Sequence, residues 1–163
     1  MLPLDVHSHI EKLDAKIKAI DSTLSTMDGQ CSFDDMNKMR NIVSNYIVIA
    51  SAGLVETGLQ SILKNFCEPK CSPQLQQYLK FNLERQTTMN CEKIETLLRR
   101  FDTSWADNFC DTIKDEQRVA IDSIKSLRDE LAHGKHNGTG LNTVKGYYSH
   151  SKSALKILAE VIT

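Results

Sequence analysis

Chain-breaking residues are scarce: 7 Gly and 3 Pro in 163 residues, too few for a collagen-like repeat or a Pro/Gly-rich low-complexity tract. The charged fraction of 25% is that of an ordinary globular protein, not of a disordered chain. A long apolar run is also missing. The longest stretch of apolar and small residues, Tyr46 to Val55, is about half of the roughly 20 residues a membrane helix needs, so no span and no membrane partner is expected. Asp5, Glu11 and Asp14 precede any apolar block, unlike a secretory signal, and the cytosol is the expected compartment. The length fits one domain, residues 1–163, large enough to bury a real core.

The chemistry-bearing motifs that are absent narrow the reading further. No glycine-rich nucleotide loop, His-Glu-x-x-His zinc helix or Gly-x-Ser-x-Gly elbow occurs. The five cysteines, Cys31, Cys67, Cys71, Cys91 and Cys110, are odd in number and scattered, unlike the even framework of a small secreted scaffold. Cys67 and Cys71 have a ligand-like spacing, but no second Cys/His pair follows at zinc-site distance. They read as reduced cysteines packed as small hydrophobes, and neither a metal nor any other cofactor is expected.

Charge is unevenly distributed. The net charge is −1, which excludes a globally basic nucleic-acid coat. Leu131 to Ala159 nevertheless contains no carboxylate, while Lys135, Lys145, Lys152 and Lys156 lie there with His133, His136 and His150. Such a segment can attract a polyanion without a basic isoelectric point, or can be a solvated helix face.

What the chain has is helical periodicity. Ile10, Leu13, Ile17, Ile20, Leu24 and Met27 form one seam with coiled-coil spacing, ended by Asp28-Gly29. Asp34 or Asp35 can cap the next helix, which runs to Leu63 and is apolar almost all round from Tyr46 to Leu59, so it is expected to be central. Gly53 and Gly58 within it suggest close approach of a neighbour. A turn at Cys67–Pro73 leads to a helix ending near Arg85, with Ser72 as N-cap and Pro73 as first residue. Asn90 and Ser104 open two short helices, Asp115 a longer one stopped by Gly134, and Asn142 to Ile162 a last one. The pattern predicts an all-α antiparallel bundle of four to five main helices, with an N-terminal amphipathic helix in residues 1–28 and a core bundle in 34–162.

One constellation remains that could do chemistry: Arg128-Asp129-Glu130-Leu131-Ala132-His133-Gly134. Chance alone supplies about 0.2 Arg-x4-His pairs in such a composition, so context must carry the signal. Here the pair closes an amphipathic helix and opens the acid-free segment. Asp129 and His133 are four apart, so the carboxylate can hydrogen-bond the imidazole and fix its tautomer, and the helix C-terminus favours the charged ring. Arg128 lies about 140° round an ideal helix from His133. It can reach over by its length, meet a second copy across a symmetric dimer, or simply pair with Glu130 or a neighbouring carboxylate, leaving His133 as a helix-end residue.

At this motif the chain resembles the HEPN superfamily of small α-helical domains, which carry an Arg, a polar residue and then a His four to six residues after the Arg, late in the domain. Arg128, Asp129 and His133 match, and Tyr46 to Leu63, with Glu56 in an apolar helix, is similar to the first core helix of that group. The subgroup it looks most like is the ribosome-associated-toxin-like (RiboL-PSP) HEPN domains. The resemblance implies a metal-independent endoribonuclease acting as a homodimer, a toxin or defence effector with an antitoxin or inhibitor protein as possible partner. The ribose 2′-OH would attack its own 3′-phosphate, giving a 2′,3′-cyclic phosphate. His133 would transfer the proton, Arg128 hold the phosphate and Asp129 orient either one, while Lys135, His136 and Asn137 contact single-stranded RNA. Glu56 would support Arg128, or sit at a solvated edge. HEPN toxins regulated by a nucleotidyltransferase carry a modified Tyr two residues after the His; position 135 here is Lys. Two other readings stand beside the nuclease: a non-catalytic HEPN module binding RNA, a nucleotide or a partner protein, and a helical adaptor whose Ile10–Met27 seam pairs with another chain.

Overall fold

The computed structural model describes residues 1–87, 89–135 and 138–163. Among these the regular elements are α-helices and one 3-10 turn: α1 (Leu4–Met27), α2 (Phe33–Cys67), the turn Glu68–Lys70, α3 (Pro73–Glu84), α4 (Cys91–Phe101), α5 (Thr103–Thr112), α6 (Asp115–Ala132) and α7 (Leu141–Val161). The all-α expectation holds. Among the described residues there are seven helices, of which α1, α2, α6 and α7 are long, while α3, α4 and α5 have only 12, 11 and 10 residues.

α2, α4 and α5 start where a side chain satisfies an orphan N–H group of the first turn, though not always at the expected residue. α1, α3 and α7 have no side-chain cap, Ser72 before α3 included. Asn90 accepts from the Lys93 N–H at 3.0 Å, as its position predicts. For α2 the cap is Ser32, whose hydroxyl accepts from the Asp35 N–H, and not Asp34 or Asp35. For α5 it is Asp102, accepting from the Ser104 N–H at 2.7 Å, and not Ser104 itself. In each case the cap lies two or three residues before the donor it satisfies, which moves the helix start upstream of the expected residue.

The orientation of the long helices follows from their polar cross-links. Asp5 of α1 accepts from Ser61 of α2, and Asp28 after α1 pairs with Arg40 of α2, so α1 and α2 are antiparallel. Ser44 meets the Thr139 carbonyl just before α7, and Gly58 meets Leu155, so α2 and α7 run parallel. One continuous apolar cluster includes Val6, Ile10, Leu13 and Ile17 of α1 with Ile47 and Leu54 of α2, Ile121 of α6 and Leu155 of α7. The α1 seam is thus occupied within the chain's own bundle, against the adaptor reading, and α1 is part of the core rather than an appendage to it.

α2 packs against α1, α3, α6 and α7. It is buried on most of its circumference but not all: Ile42, Tyr46 and Ile49, spaced by four and three, form an exposed strip. By length and composition it could also cross a membrane, since an 18-residue window within Phe33–Lys70 reaches a mean hydropathy of 1.4, and 50% of that window is buried in the bundle. Ser, Thr, Asn and Gln interrupt the stretch, so it holds no wholly apolar run of that length, and only Glu56 is charged between Asn41 and Leu63.

α7 comes close to α2 at Gly58. A Cβ there would stand 2.9 Å from Leu155 Cδ2 and 3.0 Å from Cδ1. Gly53, by contrast, has nothing within 4 Å of that position, so the close-approach expectation holds for one glycine only. Alanine at Gly53 is expected to stabilise the fold by about 0.5–1 kcal/mol through helix propensity. At Gly58 the same change displaces the buried Leu155, and overpacking of about 1–3 kcal/mol outweighs that gain. Chemical denaturation of the two variants should therefore shift in opposite directions.

Candidate functional site

The segment that carries Arg128 and His133 is built by the way α6 ends. Ala120, Ile121 and Ile124 are buried, and Leu127 and Leu131 pack against the core, holding one face of α6 on the bundle. Val119 is exposed, so Ala120 and not Val119 begins this stripe. The helix closes in a Schellman arrangement: the Gly134 N–H donates to the Leu131 carbonyl at 3.0 Å and the Lys135 N–H to the Glu130 carbonyl at 2.9 Å. Gly134 takes φ +71°, a left-handed conformation in which an L side chain is strained, so the stop predicted at this residue is realised through its lack of Cβ.

His133 is the residue just before this reversal, with φ −91° and ψ 12°. Its N–H still donates to the Asp129 carbonyl at 3.1 Å, so its Cα keeps the offset of about 140° from Arg128 that an ideal helix imposes. Its side chain is exposed, as is that of Lys135. Arg128 and Asp129 are half-buried, at 37% and 31% side-chain exposure.

Of the two groups that Asp129 could orient, it contacts Arg128. One oxygen accepts from Lys125 Nζ at 2.9 Å, and the other lies 3.4 Å from Arg128 Nη1. The carboxylate is therefore engaged by two cations and does not orient the His133 ring. The Lys125 hydrogen bond, with a smaller contribution from Arg128, holds the Asp129 carboxyl below the ordinary carboxylate range against a modest effect of burial. Asp129 is ionised near neutral pH and serves as a brace for Arg128. Pairing of Arg128 with a neighbouring carboxylate, one of the alternatives open from sequence, is what the fold contains. Lys125 escaped the sequence reading, although its four-residue spacing to Asp129 was a readable signal.

Glu56 sits half-buried on α2, the helix against which α6 packs. His136 and Asn137 lie outside the described residues. Cys67 is buried and Cys71 half-buried, both as free thiols. Burial, with a smaller effect of Cys71, pushes the Cys67 thiol above its usual range, consistent with an unreactive packed cysteine. Among the described residues no group of three or more His, Cys, Asp or Glu is arranged to hold a metal ion.

Two of the four lysines of the acid-free segment are neutralised from outside it. Lys145 pairs with Asp21, and Lys152 Nζ is 2.6 Å from Asp14 Oδ1, both on α1. Tyr148 is buried and donates to the same Asp14 oxygen at 2.7 Å, so it is a packing residue rather than a stacking platform. Lys135 and Lys156 remain exposed. Comparison of the chain with protein-family models, with curated proteins and with solved structures finds no match.

Burial raises the affinity of Asp14 for a proton, but the hydrogen bonds from Lys152 and Tyr148 outweigh it and leave the carboxyl below its ordinary value. A depressed carboxylate contributes stability above its unfolded value near about 3.9, and that contribution is lost as the pH falls through the folded value. Because Asp14 is 46% exposed on its side chain, the interaction is screened, and Asp14→Asn should lower Tm by only about 2–4 °C at pH 7. Melting curves of parent and variant should converge as the pH is taken below the folded value.

Proposed function

We propose that this chain is a HEPN-like, metal-independent endoribonuclease whose reacting groups are Arg128 and His133. The observation that carries the reading is a guanidinium braced by Asp129 and Lys125 one turn before an exposed histidine at a glycine-closed helix end. Arg128 grips the scissile phosphate: its planar fork matches phosphate oxygens, and the charge that builds on them during attack is what it stabilises. His133 moves the proton. It takes it from the ribose 2′-OH as that oxygen attacks the adjacent phosphorus, or returns one to the departing 5′-oxygen, leaving a 2′,3′-cyclic phosphate and a 5′-hydroxyl. Lys135, exposed directly after the reversal, adds a contact to the RNA backbone. A symmetric dimer that brings two copies of residues 128–133 to one groove would supply both groups to one phosphodiester.

The neutralisation of Lys145 and Lys152 by α1 favours a second reading, a non-catalytic HEPN module that binds RNA, a nucleotide or a partner protein. Cleavage decides between them. With purified protein and single-stranded RNA in EDTA, the parent chain should leave cyclic-phosphate ends. His133→Ala should slow the reaction by about 10²–10⁴-fold, and Arg128→Ala by about 10²–10³-fold. Equal rates in parent and His133→Ala, or intact RNA in both, would remove the catalytic assignment.

A further inference from the structure

The most pronounced cationic and aromatic surface lies away from Arg128 and His133, between α3 and the start of α4. A cavity of about 520 Å³ there is lined by Arg85, Lys93 and Arg100 with a single carboxylate, Glu92, among its described residues. Thr87, Asn90 and Thr96 add uncharged hydrogen-bonding groups to its wall. A second cavity of about 350 Å³ adjoins it, sharing Gln86, Leu97 and Arg100, and is walled by Tyr78, Leu83 and Phe101. On the outer face of α3, Tyr78 and Phe81 are 68% and 57% exposed, and the Arg85 guanidinium lies 4.5 Å from the Phe81 ring centre.

Several cations elsewhere in the fold are tied to carboxylates. Arg99 is neutralised by Glu95 and Asp107, Lys125 by Asp129, and Lys145 and Lys152 by α1. Neither Arg85 nor Arg100 forms an ion pair among the described residues. A purely apolar face would suit a protein helix. Two arginines beside exposed rings suit a polyanion with flat, stackable groups.

We propose that the α3–α4 face binds single-stranded nucleic acid. Bases stack on Tyr78 and Phe81, and phosphates sit over Arg85 and Arg100. A duplex hides its base faces, so the exposed rings select a single strand. This face is tied to the early part of α6 by the Cys91 N–H, which donates to Asp122 Oδ1 at 2.8 Å. It therefore lies about 16 Å along the α6 axis from His133, and it does not depend on cleavage.

The test uses the full chain carrying His133→Ala, with fluorescein-labelled 12-mers of oligo(U) and oligo(dT) followed by anisotropy. Both strands should bind, and a duplex of the same length more weakly; a preference for oligo(U) identifies RNA as the source through its 2′-OH. Tyr78→Ala should weaken binding roughly tenfold through the lost stack. Arg100→Glu should weaken it and reduce the salt slope of log K by about one. Tyr78→Trp should keep the affinity, with its fluorescence quenched by the strand. These side chains line the surface, and circular dichroism checks that each variant retains the fold. No binding by the His133→Ala chain, or unchanged affinity in both Tyr78→Ala and Arg100→Glu, overturns the proposal. So does sedimentation in which Tyr78→Ala abolishes self-association while strand affinity stays the same, since that assigns the face to protein. Cleavage by the unsubstituted chain is scored separately, so failure of either reading leaves the other readable.

Discussion

The bundle depends on how closely α7 lies along α2, and Gly58 is where that closeness is set. With no Cβ at that position, Leu155 fills the space a side chain would occupy, and the two helices stay in register and parallel. Two parallel helices joined through α6 require α6 to run back between them, which places its C-terminus beside the start of α2. The Ser44 hydroxyl donating to the Thr139 carbonyl at 3.1 Å fixes that junction from the α2 side. The presentation of Arg128 and His133 at one end of the molecule is thus a consequence of helix packing more than ten residues away.

Electrostatics divides the surface in a way that net charge conceals. The carboxylate-free stretch after Leu131 reads as a positive field, yet Asp14 and Asp21 project from α1 onto Lys152 and Lys145. Those contacts join residues more than a hundred positions apart, and they use the lysines to dock α1. Lys135 beside the α6 terminus and Lys156 near the end of α7 stay exposed, as do Arg85 and Arg100 on the α3–α4 face. A polyanion would meet these separate points rather than one stripe along α7.

The fold was legible wherever the signal was local. The 3–4 spacing from Ile10 to Met27 marks α1, and Val6, four residues earlier, extends it because it falls on the same buried stripe. Gly134 marks the α6 stop, and Asn90 the start of α4. Cap assignment failed where several short polar residues stood together: Ser32, Asp34 and Asp35 all fit by type, and only backbone geometry selects among them. At the site the failure was competition at one spacing. Asp129 has Lys125 four residues before it and His133 four after it. A Lys is charged at every relevant pH, and Arg128 adds a second cation on the same side, so the carboxylate turns towards them. The α1–α7 ion pairs left no local trace at all, because nothing within a window of sequence joins Asp14 to Lys152.

Asp129 braces the arginine and not the histidine, which changes what His133 depends on. A carboxylate partner would fix the tautomer and favour the imidazolium before substrate arrives. The other local source of negative potential is the α6 C-terminus, and there the Glu130 and Leu131 carbonyls already accept from Lys135 and Gly134, which blunts it. In the proposed reaction the anion that organises His133 is then the phosphodiester itself, held in place by a guanidinium that the protein has braced in advance. Arg128 is the preformed half of such a site and His133 the half completed by substrate.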